Sequence, residues 1–198
     1  MFRIRRIYDD TLAIDREAIG RVQQILRSQF SGVSESEIGS LGQELSNPLK
    51  YRFRTILFIA DGMKLRVKGF ALLNHAPDLS FCFLDFISVD PKAAASGVGG
   101  ALYERIRDEA RTLGDNGIFM ECLPDDPKIC QDPAAVKQSR ARLRFYERYG
   151  ALPIVRSAPA LSLGNRSTPM SFPSATRPGR PRICRCGPAT TASTPSLP

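Results

Sequence analysis

The segment between Phe81 and Gly100 constrains the fold more than any other part of the sequence. Phe81–Val89 is a nearly continuous apolar run, which predicts a strand buried on both faces in the middle of a sheet. Asp90-Pro91 ends that strand, and the glycine-rich turn Gly97-Val98-Gly99-Gly100 then opens a helix. A buried strand that leads through a turn into a helix is typical of an α/β sheet.

The apolar periodicity of the whole chain predicts the order β-α-α-β-β-β-α-β-α-β, a mixed central sheet with helices on both faces. The predicted strands cover residues 3–8, 51–60, 65–74, 81–89, 118–123 and 151–155. Asp15 is expected to cap the first helix, and Ser34 with Glu37 resembles a capping box at the start of the second. The third helix follows Gly97, and Pro133 begins a fourth that runs to about residue 149.

The composition divides the 198 residues into two parts, a folded domain at 1–156 and a tail at 157–198. The tail has no Asp or Glu, eight of the 15 prolines and five arginines, so we expect it to be disordered or irregular. It carries +5 of the formal net charge of +8, which leaves +3 on the folded part. Because the excess charge lies among prolines, nucleic acid is not expected as a partner.

Other features limit the location of the chain. It has no run of about 18 apolar residues and no apolar segment near its N-terminus, so no membrane association is expected. Five scattered cysteines do not form a disulfide framework, which favours the cytoplasm. His75 is the one histidine and is expected in a loop, so we expect no metal site.

The glycine-rich helix start predicts an anion site. Glycines let a ligand approach the backbone closely, and the free N–H groups and the positive dipole end of a helix hold phosphate. The turn lacks the Gly-Lys-Ser/Thr of a P-loop and does not follow a first strand as in a dinucleotide-binding unit.

Two stretches resemble signatures of the GNAT superfamily of acyl-coenzyme A-dependent N-acetyltransferases. The first is Leu84-Asp85-Phe86-Ile87-Ser88-Val89-Asp90-Pro91 with Ala94-Ala95-Ser96-Gly97-Val98-Gly99-Gly100-Ala101-Leu102, and the second is Arg144-Phe145-Tyr146-Glu147-Arg148-Tyr149-Gly150-Ala151. The predicted order of elements also matches that fold. The resemblance covers roughly residues 1–156 and makes this part a GNAT-like acetyltransferase domain.

The resemblance implies how acetyl-coenzyme A would bind. The strand backbone would pair with pantetheine and the acetyl carbonyl, and backbone amides of the loop would hold the pyrophosphate. The matching residues are Ile87, Ser88 and Val89 on the strand and Ala94, Ala95, Ser96, Gly97, Val98, Gly99 and Gly100 in the loop. Ala94 departs from the Arg or Gln usual in the family, so we expect weaker binding, which Lys92 could partly offset.

Tyr146 matches the tyrosine that many relatives use to protonate the leaving thiolate, a role that a phenol within hydrogen-bond reach can perform. Its position on an amphipathic helix also fits a core residue. For the base, two carboxylates stay open. Glu121 lies inside an apolar strand, where burial of a charge calls for an explanation, and Asp85 lies inside the strand before the loop. Either could instead be a structural partner of Arg142 or Arg144.

The sequence therefore predicts an N-acetyltransferase that moves an acetyl group from acetyl-coenzyme A to an amine by direct attack in a ternary complex. The alternative is a non-catalytic GNAT-fold module that binds acyl-coenzyme A or a protein. The expected acceptor is a small-molecule or protein amine. Residues 160–163 are the one candidate in the sequence for a strand that closes the sheet. A neighbouring copy could complete the sheet instead, so a homodimer is an open alternative.

Overall fold

The computed structural model describes residues 1–30, 32–51, 53–63, 66–122, 125, 127–128, 132–154 and 182–186. These residues divide into two compact units, Met1–Met120 and Glu121–Cys186. Within the described ranges, every helix is too short or too polar to span a bilayer.

The first unit contains a five-stranded mixed sheet in the order β1-β2-β3-β4-β5. Neighbouring strands are antiparallel except β4 and β5, which are parallel. Its elements are β1 (Arg3–Ile7), α1 (Ala13–Gln29), α2 (Glu35–Ser46), β2 (Arg54–Asp61), β3 (Val67–Ala76), β4 (Phe81–Val89), α3 (Val98–Thr112) and β5 (Ile118–Cys122), whose last two residues belong to the second unit. Short 3-10 helices, Pro77–Leu79 and Pro91–Ser96, flank β4.

Helices α1 and α2 cover one face of this sheet because each carries an apolar stripe at helical spacing. The stripes bury Ala18, Ile19, Val22, Leu26, Ile38, Leu41 and Leu45 against strand residues that include Leu57, Phe70 and Leu72. The predicted capping box is confirmed, since the Ser34 hydroxyl accepts from the Glu37 amide and the Glu37 carboxylate accepts from the Ser34 amide.

Helix α3 packs on the opposite face, where Gly69 of β3 makes close contact possible. A Cβ atom at Gly69 would lie 2.8 Å from the Ser88 carbonyl oxygen, 3.1 Å from Val98 Cγ1 and 3.2 Å from Leu102 Cδ1. The absence of a side chain at this one position therefore sets how closely α3 approaches β3 and β4.

Two adjacent arginines hold β1 to both layers of helices, because successive strand residues point to opposite faces. Arg5 pairs with Asp15 of α1 and Asp61 of β2, and Arg6 pairs with the buried Glu109 of α3. The expectation that Asp15 caps α1 is wrong. The N-cap is Leu12, without a side-chain hydrogen bond, and Asp15 lies in the first turn, where Arg5 binds its carboxylate.

The second unit holds α4 (Pro133–Glu147), which Asp132 caps by accepting from the Ala134 amide, and two antiparallel strands, β6 (Leu152–Ile154) and β7 (Arg182–Cys186). Strand β7 falls within residues 157–198, the tail for which disorder or irregular structure is expected. It pairs with β6, with Ile183 opposite Ile154 and Arg185 opposite Leu152. The alternative strand at 160–163 lies outside the described residues.

Two further expectations about β3 and β4 are corrected. His75 is not in a loop but near the end of β3, paired in register with Cys82 of β4. Strand β4 has the predicted bounds, but it is not buried along both faces, since Asp85 is exposed. Its pairing with β5 covers only Cys82 to Leu84, so its second half lacks the neighbour that a central strand has.

Candidate active site

Among the described residues, the second half of β4 has no strand paired with its edge away from β3. Pairing with β5 ends at Leu84, whereas pairing with β3 continues to Val89. The Asp90 amide donates to the Lys68 carbonyl oxygen at 2.7 Å. In an antiparallel ladder, the backbone N–H and C=O groups of every second residue point to the same neighbour. The backbone groups of Ser88 therefore point to β3 like the Asp90 amide, and those of Ile87 and Val89 point away from β3. These groups can therefore pair with an extended ligand.

The turn after β4 is held in place by Asp90. Its carboxylate accepts from the Lys92 amide at 2.9 Å and pairs with Arg66 from the β2–β3 hairpin at 3.2 Å. The Ser96 hydroxyl donates to the Ala93 carbonyl oxygen at 2.6 Å, so it is bound within the turn. The positions of Ala94 and Ala95 lie in this 3-10 helix, and their side chains are outside the described residues.

Gly97 turns the chain into α3 through a left-handed conformation, with φ of 77°, and no atom of the described residues other than its two chain neighbours lies within 4 Å of where its Cβ would be. It is the N-cap of α3 and offers no side-chain hydrogen bond. The amides of Val98, Gly99 and Gly100 in the first helical turn have no intrahelical acceptor, and they lie at the positive end of the helix dipole. This arrangement fits a diphosphate, and the end of β4 lies beside it, since Ser88 and Val98 both border Gly69.

Asp85 lies at a β-bulge. Leu84 pairs with Leu73 and Phe86 with Leu72, so Asp85 is the extra residue of β4. The Asn74 side-chain amide donates to the Asp85 carboxylate at 3.4 Å, and the Thr55 hydroxyl donates to the other end of that amide at 3.2 Å. Glu44 of α2 lies 3.5 Å from the same hydroxyl.

Of this row of polar side chains, only Asp85 is predicted from the sequence, whereas Asn74, Thr55 and Glu44 are not. Thr55 and Asn74 pair directly across β2 and β3, and each lies next to the apolar run of its strand. Two polar residues beside adjacent apolar runs are a usable signal, but their pairing depends on the register between strands, which the pattern of a single strand does not reveal. Together they orient the Asp85 carboxylate.

Ser88 is fixed by its side chain as well as its backbone. The Ser88 hydroxyl donates to the Gln29 side-chain oxygen at 2.6 Å, which ties the end of β4 to the end of α1. Phe86 of β4 also contacts α1's C-cap Phe30, with ring centroids 5.0 Å apart and an edge-on geometry. Strand β4 is therefore anchored on the α1 side next to the candidate site.

The other two predicted catalytic residues lie in the second unit. Glu121 is exposed in β5, so the premise that it is a buried carboxylate is wrong. The alternation of β5 explains the error, because Met120 and Cys122 on either side of it are buried. Tyr146 is 4% exposed on α4, edge-on to the neighbouring Phe145 ring at 5.3 Å between centroids. The structure thus places Asp85 in the same unit as the loop, whereas Glu121 and Tyr146 belong to the second unit.

A buried polar cluster lies at the opposite end of β4. Asp115 accepts from the Cys82 thiol at 2.9 Å and lies 3.2 Å from His75 Nε2. Burial, followed by the contact with Asp115, raises the pKa of the Cys82 thiol. These contacts hold the α3–β5 connection against the sheet. Among the described residues, no group of three or more metal-ligating side chains is found.

No family model matches the sequence, and no curated protein matches it. Solved structures do resemble it. A GNAT-family protein from Desulfovibrio desulfuricans has a TM-score of 0.62 at 18% identity, covering 96% of this chain and 100% of its own. A GNAT-family acetyltransferase from Staphylococcus aureus has a TM-score of 0.59 at 17% identity, covering 93% and 99%.

A third similar structure is the ribosomal-protein-S18-alanine N-acetyltransferase of Escherichia coli, with a TM-score of 0.52 at 17% identity over 100% of this chain and 99% of that one. All three likenesses are below 25% identity and therefore concern the fold. On these likenesses, the protein has the fold of the GNAT acetyltransferases.

Proposed function

We propose that this protein is an N-acetyltransferase that transfers an acetyl group from acetyl-coenzyme A to a primary amine in a ternary complex. The observation that carries the proposal is the proximity of two binding surfaces in the first unit. The outward backbone groups of Ile87 and Val89 belong to the end of β4, and the start of α3 lies beside that end, since Ser88 and Val98 both border Gly69. An extended chain that ends in a diphosphate would satisfy both surfaces.

Acetyl-coenzyme A supplies the thioester, whose acetyl carbon bonds to the amine nitrogen as the carbon–sulfur bond breaks. The reaction also needs two proton transfers, since one proton leaves the ammonium and one reaches the thiolate. In this proposal Asp85 takes the first, directly or through water, and Tyr146 donates the second.

Asp85 is favoured over Glu121 as the base for two reasons. Its carboxylate is exposed beside the open half of β4, and the amide of Asn74 orients it at 3.4 Å. Glu121 was a candidate because burial was expected for its carboxylate, but it is exposed on β5. The amide donor stabilises the ionised carboxylate, which is the form that accepts a proton.

A matched pair of glycine substitutions tests the cosubstrate site. Gly97 and Gly114 both have φ of 77° and nothing within 4 Å of a Cβ, so Val imposes similar backbone strain at either position. We expect Gly97→Val to weaken acetyl-coenzyme A binding in calorimetry, whereas Gly114→Val, at the far end of α3, lowers thermal stability but keeps the affinity. Equal affinities in both variants, or no heat with the wild type at millimolar ligand, contradict the proposal.

The non-catalytic alternative is kept because Ala94 stands where the family usually has Arg or Gln. It predicts acetyl-coenzyme A binding without chemistry. Thiol release measured with a panel of small amines and lysine peptides separates the two functions, since turnover above the uncatalysed rate with any amine supports the enzyme. Binding without release across the panel favours the acyl-coenzyme A-binding module.

A further inference from the structure

The outer face of α4 carries positive charges that have no acidic partner in the part of the chain that the structure describes. Lys137, Arg140 and Arg144 recur at intervals of three and four residues, which places them on one side of the helix. All three are exposed, and among the described residues no carboxylate forms an ion pair with them. Seven arginines of the first unit, by contrast, each have a carboxylate partner: Arg5, Arg6, Arg27, Arg66, Arg105, Arg107 and Arg111.

These three cations line a concave pocket rather than a flat surface. Its volume is about 460 Å³, which lies in the range of small-molecule sites. The remaining walls are apolar and comprise Pro127, Pro133, Val136 and Ala141. Positive groups around an apolar floor fit a ligand that has an anionic end and a compact apolar body.

The spacing of the charges favours phosphate over a single carboxylate. Like charges three and four residues apart on a helix destabilise each other, and a dianion between them relieves that repulsion. A phosphate monoester has three terminal oxygens, which suits two guanidinium forks and an ammonium group. A carboxylate carries half that charge and engages one fork.

We propose that this pocket is a binding site for a small phosphate monoester. Arg140, Arg144 and Lys137 hold the phosphate, and the organic group packs on Pro133 and Val136. The site lies within the second unit and is separate from the acyl-transfer chemistry proposed for β4 and α3, so it does not depend on that function.

Calorimetry with phenyl phosphate at near-physiological salt tests the proposal on the full chain. We expect one site per chain, weaker binding of inorganic phosphate, and a loss of affinity of about tenfold for each of Arg140→Gln and Arg144→Gln. Arg142→Gln is the matched control, because it removes the same charge from the same helix at a position that does not line the pocket. It should change the affinity less than about twofold.

Four results would overturn the proposal. Phenyl phosphate could fail to bind at about 10 mM, which is weaker than a functional site of this kind requires. Arg142→Gln could weaken binding as much as Arg140→Gln, which would indicate attraction to net charge alone. Inorganic phosphate could bind as tightly as phenyl phosphate, which would remove the apolar subsite. Coenzyme A could displace phenyl phosphate and lose affinity in the Arg140→Gln variant, which would assign these charges to the cosubstrate.

Discussion

Replacement of Gly69 by Ala tests how tightly α3 is packed on the sheet. The new Cβ would meet the Ser88 carbonyl oxygen at 2.8 Å, as well as methyl groups of Val98 and Leu102 at 3.1 and 3.2 Å. A backbone oxygen cannot swing aside as a flexible side chain can, so β3, β4 or α3 must shift. Overpacking of this kind costs about 1–3 kcal/mol, and the lower chain entropy of Ala offsets about 0.5–1 kcal/mol of it.

The matched control is Gly39→Ala. Gly39 is exposed in the interior of α2 with nothing within 4 Å of a Cβ, so Ala should raise stability by about 0.5–1 kcal/mol. Urea unfolding of both variants should give Gly69→Ala the lower free energy of unfolding, by about 1–3 kcal/mol, because the backbone term is similar in the two.

Gly69→Ala should also weaken acetyl-coenzyme A binding, because the displaced atoms belong to Ser88 and Val98, which are part of the candidate site. If Gly69→Ala were as stable as Gly39→Ala and bound the cosubstrate as tightly as the wild type, the packing argument and the link from β3 to the site would both be refuted.

Three further outcomes are expected. Asn74→Ala removes the donor to Asp85, so kcat should fall about tenfold with little change in the KM for acetyl-coenzyme A, and an unchanged kcat excludes Asn74 as a positioning residue. Tyr146→Phe should lower kcat by about 10²-fold with little change in thermal stability, and full turnover would remove the acid assignment. Burial, followed by the contact with Asp115, raises the pKa of the Cys82 thiol, so the folded state keeps a proton that the unfolded chain releases at high pH. Stability from this group is complete below about pH 8.5 and falls as pH rises, by up to about 1.4 kcal/mol per unit. The stability advantage of wild type over Cys82→Ala should therefore shrink in urea titrations above about pH 9, and a constant difference would contradict a thiol pKa raised by burial.

The elements that local signals specify could be predicted from the sequence. Phe81–Val89 has the predicted bounds because Asp90-Pro91 stops the strand, and the second helix starts where Ser34 and Glu37 form a capping box. The glycine-rich turn enters α3 as expected, with Gly97 in the left-handed conformation. Each of these features depends on residues within a few positions of one another.

The errors concern properties that depend on distant partners. Asp15 looked like a cap, but Arg5 ten residues earlier holds its carboxylate. Glu121 looked buried because its neighbours are apolar, although a strand of period two turns it outward. The bulge at Asp85 arises from the register between β3 and β4, and periodicity within one strand carries no information about register.

The open space around Gly97 has a consequence for protein chemistry. Since no atom would meet a side chain there, the constraint on this position is one of chirality and not of volume. A D-alanine introduced by semisynthesis would adopt the same backbone angles without strain, while L-alanine would not. Among genetically encoded residues, Asn would be the best tolerated substitute, because it enters the left-handed region more readily than other side chains and adds no negative charge beside a bound diphosphate.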